Sequence, residues 1–484
     1  MNTPNSALFT DLYELTMAQG YYHYNMNARV VFDMFFRKQP FGGGFSIFAG
    51  LDDMLCALSN FRFSGEDIAY LESLKIFKPG FLKYLESFRF SGDVYAMEEG
   101  TCIFPQEPLL RIHGNLIETQ LIEGLILNII NFQSLIATKT ARIWLASKGG
   151  LIMEFGLRRA QGPDGALSAS RAAYIGGASS TSNTLAGRIF GIPVSGTMAH
   201  SWIMAFDSEE EAFARYADLY PDTTALLIDT YNTMKSGVPN AIKTGQKMKN
   251  LGKPLAVRLD SGDMQYLSNK VRRALDEAGL PEVKIAVSNE LDEEIIEHLV
   301  AAKSPIDLWG VGTRLVTGGT DSSFTGVYKL AAREKNGVFQ PTMKVSDNPE
   351  KSTNPGIKQV YRFHDAKDNP LADLIDFEDR HFSGGQKVMF HHPFMDYRHF
   401  SLEVGGKITP LLKKAMEGGT IIAPRPALAD IRKRTLKYLK SLDPTYKRLL
   451  NPHVYKVSVS EELGRLKAAM IEEMLGHKTG NAGP

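Results

Sequence analysis

One histidine lies within the mostly apolar segment GTMAHSWIMAF, residues 196–206. A histidine in such a run is often a buried residue whose ring is held by a neighbouring carbonyl group, because buried polar groups normally find hydrogen-bond partners. A neutral imidazole is also a competent nucleophile near pH 7. His200 therefore has two possible roles, a structural one in the core or a chemical one at a site.

The segment RLDSGD, residues 258–263, combines a guanidinium with two carboxylates. Arg258 could pair with a substrate carboxylate or phosphate. Asp260 suits ribose hydroxyls or a Mg²⁺-bound phosphate. The alternative is a structural ion pair at the end of a strand, and the segment alone leaves both interpretations open.

Two further segments carry groups that bind anions or aromatic rings. EFGLRRA (154–160) places Phe155 beside Arg158 and Arg159, although a solvated loop is a plausible account of Arg159. GVGT (310–313) is a glycine-rich turn after a predicted strand, where backbone N–H groups can approach a phosphate. By itself GVGT is better explained as a plain tight turn.

The middle of the chain alternates short apolar segments with helical patterns at about 30 residues per unit, which indicates βαβ construction and a parallel sheet. Because no G-x-G-x-x-G fingerprint is present, we predict an α/β barrel, incomplete or irregular, rather than a dinucleotide-binding sheet. The predicted strands are GLIMEFG (150–156), IPVSGT (192–197), TALLIDT (224–230), PLAVRLDSGD (254–263), VKIAVSNE (283–290) and IDLWGVGT (306–313).

Each predicted strand ends in a chemically capable side chain. In a parallel barrel the carboxyl ends of the strands meet at one face, where active sites lie. One polar strand end means little, but a succession of them predicts a shared site. The groups are Glu154 and Arg158, Thr197 and His200, Asp229, Arg258 and Asp260, Ser288 and Asn289, and Thr313.

The flanks of the chain differ from the middle. DLYE (11–14) matches a capping box, with Asp11 at the N-cap and Glu14 reaching back. The helix that it opens is apolar on two faces, which indicates either complete burial or a subunit interface. The predicted divisions are an N-terminal α/β part at residues 1–125, the barrel at 126–344 and a C-terminal part at 345–484.

Composition argues against several classes of protein. The 484 residues carry a formal net charge of +1, which gives no electrostatic case for a nucleic-acid or anionic-membrane partner. Cys56 and Cys102 lack zinc-type spacing, and the acids near His391, His392 and His399 form no known ligand pattern, so no protein metal site is predicted. The chain shows neither an apolar run of roughly 18 residues nor a signal segment, and we expect a cytoplasmic protein.

Six motifs together closely resemble the nicotinate phosphoribosyltransferase family, in order and in spacing. They are LFTDLYELTMAQGYY, FDMFFRKQPFGGGFSIFAGL, EFGLRRAQGPDG, GTMAHSWIMAF, VRLDSGD and GVGTRLVTG. The segment STNPGIKQVYRF (352–363) is also similar to the family. The resemblance implies the type II phosphoribosyltransferase fold, an irregular α/β barrel with a second α/β domain built from the N- and C-terminal parts.

The resemblance also implies a reaction. Phosphoribosyl pyrophosphate and nicotinate would give nicotinate mononucleotide and pyrophosphate in NAD salvage, with ligase-type coupling to ATP hydrolysis and with Mg²⁺ bound through substrate phosphates. In the family, the histidine that matches His200 takes phosphate from ATP. The apolar run around it then makes physical sense, because phosphohistidine is labile to water.

Binding roles carry over residue by residue. Tyr13, coming from the neighbouring subunit of a homodimer, and Phe155 resemble the aromatic pair that sandwiches the pyridine ring. Arg158, Thr197 and Arg258 resemble the residues that hold the nicotinate carboxylate and nearby phosphate groups.

The remaining roles concern the ribose and its phosphate. Asp260 resembles the acid on the ribose and magnesium side, and Asp229 is its weaker companion. Gly312 and Thr313 resemble the 5′-phosphate cradle. The implied catalytic residues are thus His200, Arg258 and Asp260.

Three other functions compete with this one. A nicotinamide phosphoribosyltransferase would favour a carboxylate acceptor for the amide, but GGASSTSNTLAG (176–187) offers Asn183 and no acid. A quinolinate enzyme would need a denser basic cluster, without an ATP-linked histidine. A non-catalytic nucleotide-binding barrel should have lost His200 or Asp260, and both are present.

Overall fold

The computed structural model describes residues 6–395 and 397–479. The chain divides into two compact units, one made of residues 1–135 and 323–484 and the other of residues 136–322. The first unit therefore contains both ends of the chain, and the second is one continuous segment.

The N-terminal part of the first unit carries an exposed helix and a set of short strands. Its elements are α1 (Leu12–His23), β1 (Arg29–Phe36), β2 (Ser46–Ile47), α2 (Leu51–Ser59), α3 (Gly65–Ser73), α4 (Pro79–Glu86), β3 (Asp93–Ala96), β4 (Cys102–Ile103), β5 (Leu110–Asn115), α5 (Leu116–Leu121) and the start of α6 (Glu123–Ala146), with a 3₁₀ turn at Pro40–Gly42.

The capping box predicted at the start of α1 is wrong. The side chain of Asp11 makes no capping hydrogen bond. Glu14 does not reach back, because its carboxylate is buried and accepts a hydrogen bond from Gln120 Nε2 at 2.5 Å. The buried stripe of α1 is Glu14, Leu15 and Ala18, and tertiary packing of Glu14 thus prevails over local capping.

The second unit alternates strands with helices. Its elements are β6 (Leu151–Glu154), α7 (Gly162–Gly176), β7 (Ser180–Thr181), α8 (Thr184–Phe190), α9 (His200–Met204), α10 (Glu209–Leu219), β8 (Ala225–Leu227), a π-helical turn (Thr233–Gly237), α11 (Val238–Asn250), β9 (Ala256–Leu259), α12 (Met264–Glu277), β10 (Lys284–Ser288), α13 (Glu293–Ala301), β11 (Leu308–Val311) and α14 (Thr313–Val316).

These strands form one parallel sheet in the order β7-β6-β11-β10-β9-β8. Thr181 of β7 makes one further parallel bridge, to Val194. The strands thus follow one another around a barrel in chain order, with β11 returning to β6. Among the described residues no ladder joins Val194 to β8, so the barrel is interrupted there. The irregular α/β barrel is confirmed.

Three sequence-based expectations for the barrel are wrong in detail. Residues 192–197 do not form a strand and make one isolated β-bridge, at Val194. Ser180–Thr181, which the helical pattern covered, is instead strand β7 between α7 and α8. GVGT also begins as strand, since Gly310 and Val311 belong to β11 and the turn starts at Gly312.

The remaining elements return the chain to the first unit. They are β12 (Gly326–Lys335), β13 (Val338–Pro341), β14 (Lys358–His364), β15 (Pro370–Phe377), β16 (Lys387–His391), β17 (His399–Glu403), β18 (Ile408–Pro410), β19 (Lys413–Glu417), β20 (Thr420–Ile421), α15 (Leu428–Ser441), β21 (Val457–Val459) and α16 (Glu461–Thr479), with 3₁₀ turns at Pro349–Lys351 and Pro444–Lys447.

Two large sheets organise the first unit. One has the order β13-β12-β1-β5-β3-β19-β20, the other β17-β16-β21-β15-β14-β18, and β2 pairs with β4. Because β12 pairs with β1, the chain rejoins this unit at Ser323, before the predicted division at residue 344. The predicted division at 126 lies inside α6, which is a single helix over Glu123–Ala146.

His391 and His399 are cross-strand partners in β16 and β17. Within the described part of the chain, no three His, Cys, Asp or Glu side chains come together as a metal-binding group. Among the helices of the same residues, none combines the length and apolarity that a membrane span requires.

Candidate active site

A cavity of about 430 Å³ opens at the carboxyl ends of the strands of the second unit. Its position follows from the parallel sheet, because all strand ends meet at one face. Most of the predicted site residues line it: Phe155, Arg158, Thr197, His200, Arg258, Asp260, Gly312 and Thr313.

Arg258 is the most constrained group in this cavity. It lies on β9 between the buried Val257 and Leu259, and its own side chain lines the cavity. Its guanidinium donates from Nη1 to Thr197 Oγ1 at 2.7 Å and from Nη2 to Asp260 Oδ1 at 2.6 Å. The ion pair predicted as one alternative for RLDSGD is therefore present, inside the site.

Asp260 follows β9 and is held through its backbone as well as its side chain. Its N–H donates to Asp229 Oδ2 at 2.9 Å, and Ser261 Oγ donates to the same oxygen at 2.6 Å. Asp229 is thus a support for the Asp260 loop. Its other oxygen, Oδ1, is buried and has no hydrogen-bond partner within the described part of the chain.

His200 is the first residue of α9, in the interrupted sector of the barrel. Its side chain is 43% exposed, so the buried structural role is wrong for this residue. Nδ1 lies 3.1 Å from Thr230 Oγ1, and Nε2 lies 3.9 Å from Asp260 Oδ2. The ring is therefore oriented from one side and open to the cavity on the other.

Phe155 forms an aromatic wall. The guanidinium carbon of Arg258 lies 5.8 Å from the centre of the ring. Gly310 on β11 lies against the ring, and a Cβ atom at that position would fall 2.7 Å from Cε2 of Phe155. A glycine is therefore required behind the ring, a packing signal that the sequence alone did not reveal.

The mouth of the cavity carries the exposed cations Arg158 and Arg159. Asn289 and Glu290, which follow β10, also line the cavity. Their φ angles are 78° and 39°, in the left-handed region that non-glycine residues rarely adopt. Two such residues in succession mark a constrained loop, and constrained backbone clusters at functional sites.

Glu154, another strand-end group, is structural. It is buried at the end of β6 and accepts hydrogen bonds from Ser170 Oγ at 2.9 Å and Thr181 Oγ1 at 2.6 Å. Asn183 is buried beside it and caps α8 by accepting from the N–H of Ala186. Both side chains make hydrogen bonds within the barrel wall, and neither lines the cavity.

Tyr13 lies on α1 of the first unit, with 50% of the residue exposed. Partial burial, together with the hydrogen bond to Glu14, raises the pKa of its hydroxyl, which therefore stays protonated at neutral pH. Leu12 beside it is 55% exposed. An exposed aromatic on an exposed apolar face agrees with the interface alternative for α1, and the contact itself stays a prediction.

The sequence interpretation missed Thr230 and gave Ser288 no specific role. Thr230 follows Asp229 directly, so its place after β8 was the available signal. Ser288 ends β10 and touches both Arg258 and Asp260. Neither contact follows from the sequence, because both depend on which strands are neighbours.

Family models match most of the chain. The nicotinate phosphoribosyltransferase N-terminal domain matches residues 8–131, the nicotinate phosphoribosyltransferase family matches residues 151–391, and the C-terminal domain matches residues 357–467. The three matches together cover both units.

Individual relatives belong to the same family as these matches. The chain is 39% identical over 471 residues to nicotinate phosphoribosyltransferase of Bacillus subtilis, covering 97% of this chain and 96% of that protein. It is 34% identical to nicotinate phosphoribosyltransferase of Homo sapiens, covering 95% of each.

Solved structures support the fold. The crystal structure of human nicotinic acid phosphoribosyltransferase has a TM-score of 0.83 at 31% identity and covers 95% of this chain and 99% of that one. Nicotinate-nucleotide pyrophosphorylase from Pyrococcus furiosus shares the fold, with a TM-score of 0.70 at 24% identity over 90% of this chain and 95% of that one. The chain belongs to the nicotinate phosphoribosyltransferase family.

Proposed function

We propose that this protein transfers phosphoribose from phosphoribosyl pyrophosphate to nicotinate and releases pyrophosphate, in the salvage of NAD. The observation that carries the proposal is the cavity of about 430 Å³ that His200, Arg258, Asp260 and the ring of Phe155 line together. The names of relatives at 34% and 39% identity over most of the chain support the same activity.

The cavity suits an aromatic anion. The pyridine ring would stack on Phe155, and its carboxylate would meet the cation Arg158 and the hydroxyl of Thr197. Arg258 would contribute with its remaining N–H groups and its charge, because three of its nitrogens already donate to protein oxygens. The anionic 5′-phosphate would lie at Gly312 and Thr313, where α14 begins.

The acids fit a Mg²⁺ that is bound chiefly through substrate phosphates. Among the residues that the structure describes, Oδ1 of Asp229 has no hydrogen-bond partner, and Oδ2 of Asp260 pairs only with His200, at 3.9 Å. Mg²⁺ commonly takes one or two carboxylates and completes its shell with phosphate oxygens and waters. When bound, the ion would neutralise charge on the pyrophosphate leaving group, and Asp260 would orient the ribose.

ATP coupling through His200 is part of the proposal. The imidazole would attack the γ-phosphorus of ATP, so that a P–N bond forms while the P–O bond to ADP breaks. Hydrolysis of the phosphohistidine would later release inorganic phosphate. Support comes from the exposure of His200 to the cavity and from the orientation of its ring by Thr230.

The proposal extends to a homodimer with shared sites, in which Tyr13 completes the ring sandwich of the neighbouring subunit. The exposed apolar face of α1 supports this arrangement. We also propose a cytoplasmic location, supported by a content of two cysteines in 484 residues, because disulfide-rich chains are typical of oxidising compartments.

The test is nicotinate-dependent release of pyrophosphate from phosphoribosyl pyrophosphate, measured on purified protein with Mg²⁺, with and without ATP. Asp260→Asn should lower kcat roughly 100-fold or more, since one preorganised charge is worth ~3 kcal/mol at an active site. Asp276→Asn is the matched control, because Asp276 also pairs with an arginine, Arg272, but on the exposed face of α12. Absence of nicotinate-dependent release by the wild-type protein would overturn the proposal.

A further inference from the structure

Ser288 lies between the two charged residues at the centre of the cavity. It ends β10, and only 3% of it is exposed. Val287 of β10 and Leu259 of β9 are register partners in the parallel ladder. The residues that follow them, Ser288 and Asp260, are therefore neighbours across the two strands. Side chains alternate along a strand, which puts Arg258, Asp260 and Ser288 on the same side of the sheet.

The direction of each hydrogen bond follows from chemistry. An arginine guanidinium only donates, so Ser288 Oγ accepts from Arg258 Nε, at 2.8 Å. The single hydrogen of the hydroxyl then goes to Asp260 Oδ1, since the alternative acceptor, the Leu259 carbonyl, lies farther away at 3.4 Å. Arg258 Nη2 donates to the same Oδ1 at 2.6 Å. The three side chains thus form a closed ring of hydrogen bonds.

This ring decides which carboxylate oxygen is left for a ligand. Oδ1 of Asp260 accepts from both Ser288 and Arg258 and is fully used. Oδ2 faces His200 and makes no hydrogen bond within the described residues. The backbone N–H of Asp260 donates to Asp229 Oδ2, and this hydrogen bond fixes the backbone that carries the Asp260 carboxylate.

We propose that Ser288 is a positioning residue for phosphoribosyl transfer, holding Asp260 with Oδ2 turned towards the phosphoribosyl donor and holding Arg258 in the plane of that carboxylate. This inference rests on the proposed function, because it assigns Oδ2 to the donor. Without the hydroxyl, Arg258 Nε loses its acceptor and Oδ1 loses a donor in a nearly buried place. A buried donor or acceptor without a hydrogen-bond partner is costly, so the Arg258 and Asp260 side chains should reorient towards other partners.

The principal variant is Ser288→Ala, and Ser268→Ala is its control. Ser268 lies on α12, is also fully buried, and donates to a helix carbonyl, that of Gln265, away from the cavity. We expect Ser288→Ala to lower kcat/KM for phosphoribosyl pyrophosphate roughly 10- to 100-fold, as for loss of hydrogen bonds to charged groups. Ser268→Ala should retain wild-type kinetics.

Two measurements separate positioning from general stabilisation. Ser288→Thr keeps the hydroxyl and should recover most of the lost rate. In a double-mutant cycle with Asp260→Asn, the loss from Ser288→Ala should shrink several-fold, because Ser288 acts through a carboxylate that is already changed. Purely structural damage would add to the effect of Asp260→Asn instead.

A crystal structure of Ser288→Ala provides a readout besides activity, and the Asp260 carboxylate should be rotated or disordered in it. The inference is overturned if that carboxylate keeps its orientation, or if kcat/KM stays within twofold of wild type. A wild-type protein without transferase activity would overturn the proposed function instead, and the crystal structure would still decide the positioning role. If Ser288→Ala does not fold, Ser288→Cys, with its weak S–H donor, should lose more activity than Ser288→Thr, and equal rates would count against the inference.

Discussion

Replacing Gly310 with alanine should displace the aromatic wall of the proposed base site. A Cβ atom at Gly310 would fall 2.7 Å from Cε2 and 2.8 Å from Cδ2 of Phe155, and 3.2 Å from Cβ of Ser288. Carbon atoms pack at about 3.5–4.0 Å, so the ring must move by roughly 1 Å. The strand itself cannot easily yield, because β11 is paired on both sides, with β10 and with β6.

The expected magnitude has two parts. Overpacking by one methyl group should lower the free energy of unfolding by ~1–3 kcal/mol. A ring displaced from its stacking position should lose roughly 0.5–1.5 kcal/mol of aromatic contact with the pyridine. That loss corresponds to a rise of about 2- to 12-fold in KM for nicotinate. KM for phosphoribosyl pyrophosphate should change less, because Phe155 lies against Gly312 of the proposed phosphate site with its backbone carbonyl and not with its ring.

Steady-state kinetics with each substrate varied in turn, together with thermal unfolding, would measure both parts. Gly165→Ala is the matched control: a Cβ atom there meets nothing within 4 Å, and the position is inside α7. Alanine should gain ~0.5–1 kcal/mol of helix stability there and leave KM unchanged. An unaltered KM for nicotinate in Gly310→Ala, with the Phe155 ring unmoved in a crystal structure, would refute this reasoning.

His200→Ala should abolish ATP hydrolysis and the acid-labile phosphoenzyme formed from γ-labelled ATP, yet leave slow ATP-independent synthesis; label on another residue would refute the assignment. Mixing inactive Tyr13→Ala and His200→Ala chains should restore some activity, because one hybrid site keeps both groups, whereas a fully active monomer in sedimentation would contradict a shared site. Nicotinate should exceed nicotinamide in kcat/KM by on the order of a hundredfold, for ~2–4 kcal/mol of charge pairing, and equal values would contradict it. Burial raises the pKa of Glu123 to about 7 from 4.5, so the stability that its protonated form contributes is fully present below pH 4.5 and is lost as pH rises to about 7. Glu123→Gln should therefore flatten the fall in stability between pH 4.5 and about pH 7, by ~1–3 kcal/mol, while the exposed control Glu86→Gln should keep the wild-type slope.

Several features of the barrel could be predicted from the sequence because they depend on neighbouring residues in the chain. The alternation of apolar segments with helical patterns indicated a parallel α/β barrel, and Arg258 and Asp260 were predicted at the carboxyl end of one of its strands. Strands that end in polar groups then pointed to one face. The cavity indeed gathers His200, Thr197 and Phe155 with that pair.

The local sequence pattern predicted the wrong structure where contacts with neighbouring elements outweigh the segment's own secondary-structure preference. IPVSGT (192–197) has the composition of a strand, but it borders the gap in the barrel and makes only one bridge. Ser180–Thr181 is too short to show a period, and it becomes strand β7 because Met153 and Glu154 of β6 pair with it. Glu14 matched a capping pattern, but its carboxylate accepts a hydrogen bond from the buried side-chain amide of Gln120 instead.

The sequence by itself thus determined which residues could do chemistry and which end of each strand would carry them, since both depend on residue type and on order along the chain. Only the tertiary structure decided which groups act together. Ser288 reaches Asp260 because β10 is level with β9, and Thr230 orients His200 because the segment after β8 lies beside α9. Such contacts join residues about 30 positions apart, and their geometry depends on strand register, which no local pattern encodes.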